Sequence, residues 1–310
     1  MPDPAPTAAP LPPLTGPVFI AAGENGLRAF SRDGIEWTHQ QLDRDGVLIH
    51  HACVANGRCV VFGKFGGDSI GWSTADGATW DAFKLNAQAY AGSFGPVFSA
   101  GGKFHVIAED SSPVPGEITS ADGKVWTPRK PITAGRKGMR NDASLRRVAQ
   151  GNGRVVIVGD YGARLVRKDD AALFEIAQGT LAADTLIDVA FGNGVVVGGG
   201  MHGLCMRSED GLTWTDRATG EEGEHINAMI WDGKQFVGIG QGGTYLSKDG
   251  KAWRREPNEN APTTAAFGAG IFTGSLWPGK LMRSTDGIHW KQVHEFPHHI
   301  LALAHGRLGA

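Results

Sequence analysis

Ionisable side chains of several kinds fall between predicted strands in the middle of the chain. A base, an acid and a phenol beside anion-binding guanidiniums would supply the groups for hydrolysis or β-elimination on a uronic or sialic sugar. The candidate catalytic residues are Tyr161, Asp188, His202 and His225. Because they are scattered over the sequence, this chemistry requires a fold that brings distant loops to one place.

Seven aromatic residues mark an internal repeat that would position these loops. Each follows an aspartate-containing segment, and the successive spacings are 43, 46, 48, 40, 39 and 37 residues. The seven are Trp37, Trp80, Trp126, Phe174, Trp214, Trp253 and Trp290. Units of about 40 residues without helix-length amphipathic stretches are typical of β-propeller blades.

The unit at 186–214 predicts four antiparallel strands, A to D. Asn193-Gly194 favours a tight turn between strands A and B, and Asp210-Gly211 favours a two-residue turn between strands C and D. The first unit contains strands B to D only, whereas the C-terminal "HHILALAHGRLGA" has the pattern of a strand A. Pairing these ends would close the ring and leave no open edge.

The sequence therefore predicts an all-β fold, a seven-bladed β-propeller of four-stranded antiparallel blades in which the C-terminal strand joins the N-terminal blade. The propeller would cover residues 18–310, and residues 1–17 would form a tail rich in Pro and Ala.

Six of the units contain the pattern [ST]xDGxxW, and the unit at 168–174 keeps only Asp170 and an aromatic residue, Phe174. This signature resembles the Asp-box, or BNR, repeat of sialidase-like, sortilin-like and photosystem II assembly factor-like propellers, with one residue fewer before the aromatic residue. The resemblance implies that the repeat residues stabilise each blade, through side-chain hydrogen bonds in the C-to-D turn and an aromatic residue packed between neighbouring sheets. The aspartates with this structural role would be Asp33, Asp76, Asp122, Asp170, Asp210, Asp249 and Asp286.

Strand A of each unit is expected to line the central channel. Counting back six residues from the A-to-B turn glycine or its equivalent gives one ring: His51, Pro96, Arg147, Asp188, Asn227, Thr264 and Ala302. This ring lies near the face of the B-to-C and D-to-A loops, which we call the loop face. Its polar members would either bind water and one another or form a pocket. The candidate ligand-binding residues are His51, Arg147, Asp160, Arg164, Asn227, Arg136 and Arg140.

The loop at 128–147 carries seven basic residues and one aspartate. It would hold an anionic ligand or an acidic partner. The alternative is a solvated loop that is balanced by acidic loops on the same face.

Histidines at 50, 51, 294, 298 and 299 raise the question of a metal site. Because successive strand residues point to opposite faces, at most one of each adjacent pair would face the channel mouth, and we predict no metal. The segment "GIGQGG" at 238–243 matches a phosphate-binding pattern but precedes a strand instead of a helix, so no cofactor is predicted either.

Composition excludes several classes of partner. The net charge of −2 creates no field that would attract nucleic acid. No apolar run is long enough for a membrane span, and the N-terminal segment lacks the pattern of a signal peptide. We expect a soluble monomer, either cytoplasmic or a mature exported protein, with Cys53, Cys59 and Cys205 as reduced thiols.

These patterns favour a non-catalytic recognition or scaffold propeller that binds a protein or glycan through the loop face of blades 4 to 6. The alternative is a carbohydrate-active enzyme, a glycoside hydrolase or polysaccharide lyase, with its site at the channel mouth over the same blades. The absence of a carboxylate pair at a recognisable spacing favours binding, whereas the ionisable groups around Asp188 favour an enzyme.

Overall fold

A computed structural model describes residues 11–84, 93–109, 114–168 and 171–309. The strands form seven four-stranded antiparallel sheets. The A strand of each sheet contacts the A strands of both neighbouring sheets, so that these seven strands form a closed inner ring. The protein is therefore a seven-bladed β-propeller, as the repeat predicts.

Within each blade the strands follow one another from the centre of the ring outward. Blade 1 contains β28 (Ile300–Leu308), β1 (Gly16–Gly23), β2 (Arg28–Ser31) and β3 (Trp37–Gln41). Blade 2 contains β4 (Leu48–Ala55), β5 (Arg58–Phe65), β6 (Asp68–Thr74) and β7 (Asp81–Lys84). Blade 3 contains β8 (Ser93–Ala100), β9 (Lys103–Glu109), β10 (Gly116–Ser120) and β11 (Lys130–Pro131).

The remaining blades follow the same order. Blade 4 contains β12 (Leu145–Gly151), β13 (Arg154–Gly159), β14 (Arg164–Lys168) and β15 (Glu175–Ile176). Blade 5 contains β16 (Leu186–Gly192), β17 (Val195–Gly200), β18 (Cys205–Ser208) and β19 (Trp214–Ala218). Blade 6 contains β20 (Ile226–Trp231), β21 (Phe236–Gly240), β22 (Gly243–Ser247) and β23 (Arg254–Pro257). Blade 7 contains β24 (Thr264–Gly268), β25 (Ile271–Leu276), β26 (Lys280–Ser284) and β27 (Lys291–Glu295).

The two ends of the chain close the ring. Strand β28 pairs antiparallel with β1, from Gly16 opposite Leu308 to Gly23 opposite Ile300. Leu14, just before β1, is buried, and its N–H donates to the Asp76 carbonyl at 2.6 Å. The C-terminal strand is thus the A strand that the first unit lacks, which confirms the predicted closure.

The turns between strands C and D differ from their predicted form. In blade 5, Ser208 pairs with Trp214, so five residues connect the strands instead of two. The Ser208 hydroxyl accepts the Gly211 N–H at 2.8 Å, and Asp210 Oδ1 accepts the N–H groups of Leu212 and Thr213 at 2.8 and 2.7 Å. The side chains take the place of backbone acceptors, which allows the longer turn.

Six blades repeat this hydrogen-bonded turn. The aspartates that accept the N–H groups two and three residues ahead are Asp33, Asp76, Asp122, Asp210, Asp249 and Asp286. In Asp33 the hydrogen bond from the Ile35 N–H lowers the pKa. Although burial raises it, bonds from His289 and neighbouring N–H groups lower the pKa of Asp286 to about 2. Asp170 lies outside the described residues.

The repeat aromatic residue of each blade packs into the core between that blade and the preceding one. Trp214 packs with Val156 and Val166 of blade 4, and Phe174 packs between blades 3 and 4. The turn glycine contributes as well: a Cβ on Gly211 would lie 2.9 Å from methyl groups of the same two valines. The repeated turn therefore joins neighbouring blades as well as neighbouring strands.

The boundary between blades 3 and 4 has a buried ion pair. Arg167 Nη2 lies 2.8 Å from Glu117 Oε1, and His105 Nδ1 lies 3.1 Å from the same oxygen. The Arg167 guanidinium also stacks on Phe174, 4.4 Å from the ring centroid. The ion pair thus occupies the interface of the blade whose repeat departs from the pattern. No helix among the described residues has the length and apolar character for crossing a membrane.

Candidate functional site

All seven predicted ring residues line one cavity of about 190 Å³. They lie near the loop-face ends of the A strands, so the cavity sits at the mouth of the central channel on that face. The volume is below the roughly 300–1,000 Å³ of sites for drug-sized ligands and equals about six water molecules in the liquid. The cavity therefore suits a small molecule or a single side chain.

A β-bulge shapes this cavity in six of the seven blades. The register shift in the A strand falls between Ile49 and His51 in blade 2, and shifts at the same level occur in blades 1, 3, 4, 5 and 6. An extra residue in one strand interrupts the alternation of side chains. Both His50 and His51 line the cavity beside this bulge.

Asp188 places a carboxylate in the cavity wall. Its Oδ1 accepts the Val189 N–H at 2.9 Å, and its Oδ2 accepts the Met229 N–H of the next blade at 2.8 Å. Burial raises the pKa of Asp188, and the Arg147 charge and the two N–H donors offset only part of this rise. Among the described residues, no cation lies within the 4.0 Å of an ion pair with this carboxylate.

Polar and apolar residues are mixed around the cavity. Arg147 Nη1 donates to the Arg146 carbonyl at 3.0 Å, and Asp188, Asn227 and Thr264 follow it around the ring in blades 5 to 7. Blades 4, 6 and 7 also supply Val148, Ala228 and Ala265, and blades 1 to 3 supply the apolar residues Pro96, Val97, Leu301, Ala302 and Leu303 together with both histidines. Burial and then the Lys64 charge lower the pKa of His50 and favour its neutral form.

The four candidate catalytic residues do not surround one cavity. Asp188 lines the channel cavity, whereas Tyr161, His202 and His225 do not. The two histidines are neighbours: the His202 N–H donates to His225 Nδ1 at 3.2 Å, and the ring centroids are 5.3 Å apart. A proton-transfer set would have to lie within hydrogen-bond distance of one substrate, and this arrangement separates its members.

Tyr161 and His202 occupy the same position in two neighbouring turns. The single 3-10 turns Asp160–Gly162 and Met201–Gly203 connect strands B and C of blades 4 and 5, and both central residues are left-handed, with φ of 52° and 54°. Non-glycine residues rarely adopt this conformation without a special reason. The Tyr161 and Met201 N–H groups donate to the Thr185 hydroxyl and carbonyl at 3.0 and 3.3 Å, which joins the two turns.

Three exposed apolar side chains lie on these joined loops. Tyr161, Leu181 and Met201 are 41%, 59% and 37% exposed, and we call them the rim patch. The backbone of Leu181 lies against the Tyr161 turn, with its carbonyl 2.6 Å from where a Cβ on Gly162 would be. The sequence pattern predicts Tyr161 for its phenol but neither Leu181 nor Met201. For Met201 the sequence signal is an apolar residue among the glycines of a B-to-C connection.

Two other candidate ligand residues are engaged within the fold. Arg164 is 2% exposed, stacks on Trp214 at 5.0 Å from the ring centroid, and donates to the Asp184 carbonyl. Burial lowers the pKa of Arg164 to about 10. Asp160 forms an ion pair with Arg146 at 2.5 Å. Neither lines the cavity, and the buried Arg164 does not reach the loop-face surface.

The basic loop borders the rim patch. Arg140 binds Asp142 through two hydrogen bonds of 2.8 and 2.7 Å, and its guanidinium lies 4.5 Å from the centroid of the Tyr161 ring. Arg136 Nη1 donates to the Arg140 carbonyl at 3.2 Å. These contacts hold positive charge beside an exposed aromatic ring.

The C-terminal histidines bind groups of blade 1. His298 Nδ1 lies 3.3 Å from Asn25 Nδ2, the His299 N–H donates to Glu24 Oε2 at 3.2 Å, and His294 packs against Phe296. Within the described part of the chain, no group of three or more His, Cys, Asp or Glu side chains could hold a metal ion.

Comparisons with known proteins place the fold. No family model matches the chain, and no curated protein matches it in sequence. A structure of YCF48 bound to D1 peptide has a TM-score of 0.62 at 15% identity and covers 87% of this chain and 95% of its own. YCF48 from Cyanidioschyzon merolae has a TM-score of 0.56 at 11% identity and covers 92% of this chain and 97% of its own. Apo AztD from Citrobacter koseri has a TM-score of 0.52 at 9% identity and covers 95% of this chain and 99% of its own. At these identities the likeness shows the propeller fold alone.

Proposed function

We propose that this protein is a non-catalytic binding propeller that captures a segment of a partner protein on the loop face of blades 4 and 5. The observation that carries the proposal is the rim patch, where Tyr161, Leu181 and Met201 stay exposed on joined loops of the loop face. Exposed apolar side chains grouped on one set of loops are typical of a protein-binding surface.

The chemistry of the patch favours a protein over a glycan. Leu181 and Met201 offer no strong hydrogen-bond donors or acceptors for sugar hydroxyls, whereas they accept apolar side chains, and methionine adapts to varied shapes. Arg136 and Arg140 add polar groups along one border, where the Arg140 guanidinium is paired with Asp142 and lies against the Tyr161 ring. The structure of YCF48 bound to D1 peptide supports peptide capture as a use of this architecture.

The patch is also held in place before any partner arrives. The Tyr161 and Met201 turns share Thr185, and the Gly203 N–H donates to the Glu224 carbonyl at 2.5 Å. A loop backbone that is already ordered loses less conformational entropy when a partner binds. The left-handed Tyr161 and His202 keep their side chains on this surface despite the backbone strain.

The proposal is tested by selecting peptides on the intact protein. A library of random linear peptides is displayed on phage and enriched on the full chain, and the selected peptides are measured by isothermal titration. We expect the double variant Tyr161→Ser, Met201→Ser to lose at least about tenfold in affinity, because central apolar contacts dominate such interfaces.

Val125→Ser is the matched control, since Val125 is 75% exposed on the opposite face, in the C-to-D turn of blade 3. It should leave the affinity unchanged. Peptides that bind the double variant as tightly as the wild type, or that lose affinity with Val125→Ser, would place the binding surface elsewhere and contradict the proposal.

A further inference from the structure

The channel cavity contains two opposite charges that do not neutralise each other. Asp188 uses both carboxylate oxygens to accept backbone N–H groups, and Arg147 donates to a backbone carbonyl. In the described part of the chain, neither side chain has an ion-pair partner within 4.0 Å. A carboxylate removed from water without a counter-ion is unfavourable, so a ligand that supplies a cation would be bound preferentially.

The two charges lie on neighbouring A strands and act on each other. Arg147 is in β12 and Asp188 is in β16, and the positive charge of Arg147 lowers the pKa of Asp188 against the opposing effect of burial. Both residues line the same cavity. A ligand with a cation and an anion close together would match this pair, whereas a simple ion would match only one member.

The rest of the cavity limits what else the ligand can carry. Asn227 and Thr264 add neutral hydrogen-bonding groups, and Pro96 and Leu301 add apolar surface on the side of blades 1 and 3. The volume of about 190 Å³ leaves room for one small group beyond the charged ends. An apolar substituent next to a zwitterion fits this division.

We infer that the channel cavity is a binding site for a free α-amino acid with a small apolar side chain. Its ammonium group donates to the Asp188 carboxylate and to the Asn227 or Thr264 oxygen, and its carboxylate accepts from the Arg147 guanidinium. The side chain lies against Pro96 and Leu301. This site goes beyond the proposed capture of a protein segment, because it uses none of the rim-patch residues.

Charge deletion on the ligand provides the first test. Isothermal titration of the full chain is carried out with L-valine, with valinamide, which lacks the carboxylate, and with N-acetylvaline, which lacks the ammonium group. We expect L-valine to bind at least about tenfold more tightly than either derivative, because each loses a charged hydrogen bond. Binding of valinamide or N-acetylvaline as tight as that of L-valine would overturn the inference.

Variants of the cavity provide the second test. Arg147→Gln should lower the affinity for L-valine at least about tenfold. It should leave the affinity for valinamide unchanged, since valinamide has no carboxylate for Arg147. Lys137→Gln is the matched control, because Lys137 is an exposed residue of the same basic loop. It should change neither affinity. Arg147 is half-buried and its one internal bond is local, so this variant is expected to fold. If Arg147→Gln lowered the affinities for L-valine and valinamide equally, the assigned contact between Arg147 and the ligand carboxylate would be contradicted.

A third variant separates this inference from the proposed function. Tyr161→Ser removes a rim-patch side chain that does not line the cavity, and it should retain L-valine binding while selected peptides are lost. No binding of L-alanine, L-valine or L-leucine to the wild-type chain would exclude the amino-acid site and leave peptide capture by the rim patch standing.

Discussion

The two faces of the propeller are built by different rules. On the face of the C-to-D turns, six blades repeat the same Ser or Thr and Asp hydrogen bonds, and the turn glycine and aromatic residue pack on the preceding blade. On the loop face, the turns of blades 4 and 5 share one backbone conformation, yet one presents Tyr161 and the other His202. The repeated face holds the blades together, and the varied face presents chemistry.

This contrast indicates which residues of a repeat protein contribute to its folding stability and which determine its binding specificity. A residue that recurs at every blade contributes an equivalent contact at each interface, and the contributions add around the ring. A loop-face residue that occurs once and takes no part in a blade interface is free to serve a ligand. Substitutions on the two faces should therefore separate stability from binding.

The largest effect is expected where the repeated pattern fails, at the boundary of blades 3 and 4. Glu117→Gln would leave the buried Arg167 without its ion-pair partner and lower the free energy of unfolding by about 3–5 kcal/mol. Although burial raises it, hydrogen bonds from His105 and Arg167 hold the pKa of Glu117 below its usual value, so the carboxylate is charged at neutral pH. Urea denaturation measures the loss. A loss below about 1 kcal/mol would contradict a stabilising role of this pair at the interface of blades 3 and 4.

The next effect concerns the packing of a repeated turn on its neighbour. Gly211→Val should destabilise the protein by about 3 kcal/mol, because a side chain would meet Val156 and Val166 at a residue with φ of 84°. Gly153→Val is the control: Gly153 has φ of 67° and no atom within 4 Å of an added Cβ. It keeps the backbone strain without the clash. Equal losses in the two variants would show that the turn does not pack across the blade boundary.

A smaller effect depends on pH. Asp286→Ala should cost about 1 kcal/mol at pH 7 by removing the acceptor of the turn N–H groups. The folded-state pKa, about 2, lies below the ordinary value of 3.8, so this stabilisation is present above about pH 4 and disappears as pH falls through 2. Urea midpoints of wild type and variant should converge over that window. Asp45→Ala, an exposed loop residue, should show no such convergence.

The smallest effect has the opposite sign and belongs to the loop face. Tyr161→Gly should raise the free energy of unfolding by up to about 1 kcal/mol, because glycine accepts the left-handed conformation without strain. Tyr161→Ala removes the same ring but keeps the strain, so the difference between the two variants isolates the backbone contribution. A lower stability for Tyr161→Gly than for Tyr161→Ala would contradict the presence of strain.

Much of the fold could be predicted from the sequence, because the length of the repeat and its turn residues determine the strands of each blade. The aromatic spacing and the Asn-Gly turns predict the blades, and the unmatched strand patterns at the two ends predict the closure. The ring was readable for the same reason, since all seven positions found by counting from the turns line one cavity.

The remaining features of the site could not be predicted, because they depend on strand register and on contacts between blades, which local sequence patterns do not determine. The bulges beside the cavity, such as the one at Ile49 and His51, arise from register between strands. Arg164 follows a loop-face turn in sequence, but its side chain stacks on Trp214 of the next blade. Tyr161, His202 and His225 looked equivalent to Asp188 as ionisable residues, yet only the A strands face the channel. Contacts between blades decided each of these cases.

Hydrogen exchange with and without a selected peptide separates the binding face from the repeated face. The full chain is labelled in both states, and protection is mapped by mass spectrometry. Capture on the loop face predicts added protection at residues 160–163, 181–185 and 201–204 and none at the repeated turns 209–213 and 248–252. Protection at the repeated turns, with no change on the loop face, would contradict it.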